Sequence, residues 1–200
     1  MEGWYMGNPP EKQLHNISAD ERVTLYRKCI TEKTAIQQKQ ITESLLQLMQ
    51  VKPFPEITVT QLCQHAGVSR RMFYYLFTNI SGALYALIDR KILEVEMGGR
   101  NQIAEFFKYW QEQKILLDML EQNGMSGLLL ERMIDRVLRE DYDVHNWLQN
   151  HGWKNHNRDL IVFGFTGLMG LVFSWYYSGY DRTPEEMAAL IEDLMAPYFS

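Results

Sequence analysis

The chain is poor in cysteine, with Cys29 and Cys63 alone among 200 residues and no C-x-x-C spacing. That scarcity excludes a disulfide framework or a zinc ribbon. With no secretory leader pattern ahead of them, the two thiols are expected in a reduced cytoplasm. The sequence also lacks a P-loop, a G-x-S-x-G elbow, an H-E-x-x-H pair and any glycine-rich strand-to-helix turn. Nothing therefore points to catalysis or to a bound cofactor. Predicted strand content is near zero, and the expected fold class is all-α. Positive charge is not in excess either: the net charge is -5 and the pI about 5.6. Any nucleic acid would have to be met by a locally positive face. What is abundant is ordinary globular material, 46% apolar and 22% charged, which excludes wholesale disorder.

One uncharged run, Leu160 to Tyr177, reaches the length of a membrane span. It carries Gly164, Thr166, Gly167, Gly170 and Ser174, and its flanks are mixed in charge rather than basic. A core helix of a helical dimer fits it better than a span, and no membrane partner is expected. Three histidines, His145, His151 and His156, stand six and five residues apart. That spacing matches neither the i, i+4 pair of a helical zinc site nor a short ligand hook, so no metal is expected.

The richest stretch is Thr58 to Phe77. Thr58 and Gln61 have capping-box spacing, which starts a helix. Val59, Leu62, Cys63 and Ala66 at i, i+3, i+4 and i+7 give it one apolar face. Gly67 stops it where a left-handed residue is wanted. Ser69 caps a second helix on which Phe73, Leu76 and Phe77 share a face, while Arg70, Arg71, Tyr74 and Tyr75 spread over the others. Two short helices joined by a glycine turn have the form of a helix-turn-helix, whose second helix fits the DNA major groove. Arginines can fork onto guanine edges or phosphates, and tyrosines can bond phosphates or pack on thymine methyls. The same pattern also suits a surface helix whose arginines are merely solvated.

Ile57-Thr-Val, Leu62-Cys63, Ala66-Gly-Val-Ser69, Phe73-Tyr-Tyr and Phe77 together resemble the DNA-binding domain of the TetR family of transcriptional regulators, over roughly Ala35 to Asp89. Met72 stands where many members carry a small Thr or Ser, and Ile80 where many carry a phosphate-gripping Lys. The resemblance implies an N-terminal three-helix helix-turn-helix domain followed by a larger C-terminal helical regulatory and dimerisation domain. It implies a cytoplasmic one-component regulator, a repressor, that binds a palindromic double-stranded DNA operator as a homodimer and is released by a small-molecule effector. Thr60, Ser69, Arg70, Arg71, Met72, Tyr74 and Tyr75 are the expected DNA-facing residues. The alternative is a protein of the same fold that has lost part of its DNA reading and acts through a protein partner. The larger domain is more weakly similar to the branch related to the regulator of dihydroxyacetone kinase operons, through the Phe106-to-Trp110 helix, Gly164-x-x-Gly167 and Pro184-Glu-Glu-Met187.

The expected organisation is an arm with an extra helix over 1–33, the DNA-binding domain over 34–80 and the larger domain over 81–200. Helices are expected over Ala35–Met49, Ile80–Met97, Ile103–Glu121, Gly127–Glu140, Leu160–Ser178 and from Pro184 to near Pro197, with a short one beginning at Ser18. Lys52 beside Pro53-Phe-Pro55 either reaches a phosphate or is solvated. In the larger domain Phe106, Trp110, Met133 and Phe163 are candidate effector contacts, because aromatic and methionine side chains line most small-molecule clefts. They equally make ordinary cores. Gly164, Gly167, Leu168, Leu171, Trp175, Leu190 and Leu194 are candidate dimer contacts: the glycines leave a bare strip for close helix approach, and the apolar residues flank it.

Overall fold

The computed structural model describes residues 31–95, 102–138 and 158–199. The expected extra helix near Ser18, Cys29, the Gly98-Gly99 break and all three spaced histidines lie outside the described residues. Within them the fold is all-helical, with nine α-helices and no strand. Among the described residues no helix is long and apolar enough to cross a membrane.

The chain forms two compact units. The first contains α1 (Glu32–Met49), α2 (Val59–Ala66) and α3 (Arg70–Leu76). It also takes α4 (Ile80–Leu93) as far as Asp89, and residues Asp118–Ser126. Helix α1 begins three residues before the expected Ala35. Thr31 accepts from the Thr34 N–H while the Thr34 hydroxyl meets the Thr31 backbone N–H. This is a capping box in which threonine replaces the usual Glu or Gln. Ile41, Leu45 and Met49 are buried and α1 packs on both α2 and α3. Pro53 then starts a short 3-10 turn, Phe54–Glu56. Phe54 is buried, and its N–H donates to Asn123 Oδ1 at 2.7 Å. Asn79 caps α4 by accepting from the Gly82 N–H.

The second unit holds α4 from Arg90 onward, α5 (Gln102–Glu112), the first residues of α6 (Lys114–Gln122), α7 (Leu128–Leu138), α8 (Arg158–Tyr177) and α9 (Pro184–Phe199). The single helix expected over Ile103–Glu121 is two helices parted at Gln113, and Ile115, just past the break, is exposed. No glycine or proline marks the break. Beyond it Leu116, Leu117, Met119 and Leu120 are buried, a wider stripe than i, i+3, i+4 spacing alone demands. Pro184 opens α9 as expected, helped by a Thr183–Glu186 capping box. The helix runs past Pro197, where it was expected to end, to Phe199.

Helix α5 is the centre of this unit, packed against α8 and α9. Its apolar face is aromatic: Phe106 and Phe107 meet edge to face at 5.7 Å, and Phe107 meets Trp175 of α8 at 5.6 Å. Such pairs contribute about 0.5–1.5 kcal/mol beyond their burial. The other edge of α5 is tied to α4 by the Tyr109 hydroxyl, which donates to the Lys91 carbonyl at 2.7 Å. Beside it Arg90 and Lys91 both reach Glu94, at 3.2 and 2.8 Å.

Burial, and then the negative charge of Glu94, push the Tyr109 phenol above its ordinary value of 10.0. A group whose pKa rises on folding stabilises the fold fully below its unfolded value and loses that contribution as pH climbs past it. Tyr109→Phe should therefore cost about 1 kcal/mol near neutrality, the worth of one buried hydrogen bond. The gap between the two chains should close above about pH 10. Urea unfolding that gives the same gap at pH 7 and pH 11 would contradict this.

Candidate nucleic-acid interface

The two short helices α2 and α3 are joined by Gly67, Val68 and Ser69 alone. Helix α2 is held at its start by the expected box: the Thr58 N–H donates to Gln61 Oε1 at 3.1 Å and the Gln61 N–H to Thr58 Oγ1 at 3.2 Å. Lys52, left open between phosphate and solvent, donates to the same Gln61 oxygen at 2.8 Å. Its charge is thus fixed beside the N-terminus of α2, an end already positive through its free amides. Gly67 adopts φ 66° and ψ 29°, and the Val68 N–H returns to the Cys63 carbonyl at 3.0 Å. That bond is the six-to-one closure of a Schellman turn. Ser69 caps α3 by accepting from the Met72 N–H at 3.1 Å.

These constraints set which side of α3 faces out. Phe73, Leu76 and Phe77 are buried, with Phe73 and Phe77 rings 5.4 Å apart. Arg70, Arg71, Tyr74 and Tyr75 are exposed, Tyr74 at 52% and Tyr75 at 47%, and Met72 is half-buried. The Arg70 guanidinium sits 6.0 Å from the Tyr74 ring centre, so one turn of helix presents a cation stacked on an aromatic face. Its field reaches inward as well: burial pushes the Cys63 thiol up, and the Arg70 charge partly offsets that. Thr60 is exposed on the first turn of α2. The expected DNA-facing set is thereby distributed over the first turn of α2 and the length of α3, all of it on the first unit.

Charge patterning reinforces the geometry in a way residue spacing did not bring out. From Ile57 to Ile88 the sequence contains no Asp and no Glu, in a chain whose acids outnumber its Lys and Arg by 25 to 20. The acidic balance of the whole protein is therefore carried elsewhere, and Arg70 and Arg71 have no carboxylate in their own segment. No family model and no curated protein matches the chain.

The remaining candidates divide. Phe106 and Trp110 lie together on α5, ring centres 6.4 Å apart and both buried, and Met133 is buried on α7. Phe163 is not with them; it is 74% exposed on α8. Among the expected dimer contacts, Trp175 is buried inside its own unit, its indole N–H donating to the Arg182 carbonyl at 3.0 Å. Gly164, Leu168 and Leu171 are half-buried, Gly167 and Leu190 are exposed, and the Leu194 side chain lies outside the described residues. A clearer pattern is the exposed stripe Phe163, Gly167, Gly170, Ser174 and Tyr177, spaced 4, 3, 4 and 3 along α8 and wholly uncharged.

Because a Cβ added at Gly67 meets nothing within 4 Å, the cost of Gly67→Ala is purely backbone, about 1–2 kcal/mol for a left-handed residue. Gly67→Asn should lose less. If the alanine variant unfolds in urea at the native midpoint, the left-handed turn is not what fixes α3.

Proposed function

We propose that this chain is a DNA-binding one-component transcriptional regulator of the TetR type, acting as a homodimer that sets one α3 helix into each half of a palindromic operator. The observation that carries the reading is the exposed cationic and aromatic face of α3, Arg70, Arg71, Tyr74 and Tyr75, on a helix fixed by Gly67 and Ser69 in an acid-free segment. Arginine and tyrosine in that arrangement can meet both base edges and phosphates. Lys52 and Thr60, beside the start of α2, supply flanking contacts to the backbone. Two such helices in a dimer must be about 34 to 36 Å apart, or a multiple of that, to enter successive major grooves.

The dimer reading rests on α8. One stripe of this helix, Phe165, Met169, Val172 and Trp175, is buried within the unit, and the opposite stripe is uncharged and bare at Gly167 and Gly170. An exposed apolar face of that length needs a cover, and small residues let a second helix come close. The regulatory half of the reading makes the second unit the sensor of a small-molecule effector and α4, which runs from one unit into the other, its link to the DNA-binding unit. An effector shifts operator occupancy only by its differential affinity for two arrangements, and tenfold release requires about 1.4 kcal/mol.

Arg70→Ala and Tyr74→Ala should each weaken binding to a selected operator by about 1–3 kcal/mol in a gel shift, with the fold intact by circular dichroism. Unchanged affinity in the double variant would remove α3 from the interface and favour action through a protein partner. The dimer has its own test. A Cβ at Gly167 or Gly170 meets nothing within the chain, so Gly167→Glu with Gly170→Glu should leave the monomer folded and halve the mass seen by light scattering. A native chain already running at 23.6 kDa would exclude the α8 interface.

A further inference from the structure

Trp110 is 0% exposed, and its indole Nε1 is buried with no hydrogen-bond partner among the described residues. The neighbouring polar ring groups do not share this state, since Trp175 donates to the Arg182 carbonyl and Tyr109 to the Lys91 carbonyl. Burying a donor without an acceptor costs about 1–3 kcal/mol, and buried tryptophans ordinarily find a partner. The free chain therefore carries a cost that an incoming acceptor would recover. A lone water is a poor candidate, because buried waters are held by two to four polar partners. Around Trp110 stand the Phe106 ring at 6.4 Å and the Tyr109 ring at 5.5 Å, the latter with its hydroxyl already donated.

The chemistry of the missing acceptor follows from the charges. The buried positions of α5 are Ala104, Phe106, Phe107 and Trp110, with no cation to hold a carboxylate. The buried Arg132 of α7 is engaged with Asp135 at 3.4 Å. Arg132 is the one buried cation among the described residues, so an anion brought to Trp110 would lose its hydration with no other buried counter-charge among them. An uncharged oxygen on an apolar body loses little and gains the indole bond.

We propose that Trp110 is the hydrogen-bond donor of a small-molecule site in the second unit, taking an uncharged, largely apolar molecule with one acceptor oxygen, of the aryl ketone class. Its regulatory meaning rests on the effector reading above, but the binding itself does not require DNA. The test uses the full chain labelled with ¹⁵N-tryptophan. The Trp110 indole resonance is assigned in the native chain by its contacts to the Phe106 and Tyr109 rings. Acetophenone and ethylbenzene are the probes, nearly equal in shape and differing in the carbonyl.

Acetophenone should move the Trp110 indole proton downfield and bind about tenfold more tightly than ethylbenzene, the ratio that corresponds to about 1.4 kcal/mol. Trp110→Phe should erase that preference, the two probes then binding with equal affinity. Equal affinities in the native chain, a Trp110 resonance that does not move at millimolar acetophenone, or a preference that survives in Trp110→Phe would each overturn the proposal. The native-chain shifts decide the matter even where the variant fails to fold. No DNA enters the experiment, so a negative result leaves the operator reading standing, and a chain that binds acetophenone yet ignores DNA would overturn the operator reading alone.

Discussion

Helices of eight and seven residues are too short to persist in water, where even good helix formers need about 12–15 residues. Helices α2 and α3 exist because their ends are closed and their inner faces are covered. Thr58, Gly67 and Ser69 satisfy amides and carbonyls that would otherwise be orphaned, and Leu62, Phe73 and Leu76 are buried where α1 packs across the pair. The outward set of α3 follows from that inward set. With Phe73, Leu76 and Phe77 committed to the core, Arg71, Tyr74 and Tyr75 are left on the outward side, and Arg70, three residues before Phe73, is exposed at the open first turn. Packing and recognition are two sides of one rotation about the helix axis.

Much of this was legible in the sequence because caps and left-handed glycines act over three or four residues. The Thr58–Gln61 box, the stop at Gly67, the cap at Ser69 and the start at Pro184 all depend on neighbours in the chain. What was not legible depends on something further away or on a rarer residue. The start of α1 uses Thr34 where Glu or Gln is the usual signal, so the helix read three residues short. The break at Gln113 has no glycine or proline to announce it. Lys52 bonds Gln61 nine residues away, a contact that no periodicity encodes. Phe163 and Trp175 share α8 with little in the helix's uniformly apolar composition to tell the outer stripe from the inner one, so Phe163 was expected inside and Trp175 at the partner's surface.

The second unit carries its information in a different form. Its centre is built from rings on α5 and α8, whose edge-to-face contacts fix orientation while leaving polar edges to be matched one by one. Trp175 and Tyr109 find backbone carbonyls; among the described residues Trp110 does not. Tyr109 and Trp110 are adjacent in sequence, so one turn of α5 both anchors α4 and holds the unmatched donor.

The central claim, that the acid-free face of α3 and the start of α2 binds DNA, is tested most directly by selecting sites from random duplexes and titrating the winner with salt. The account predicts an inverted repeat among the selected sequences and a log–log slope near -0.9 for each phosphate neutralised, several phosphates in all. Failure to enrich any sequence, together with an affinity for duplex that does not change with salt, would contradict it.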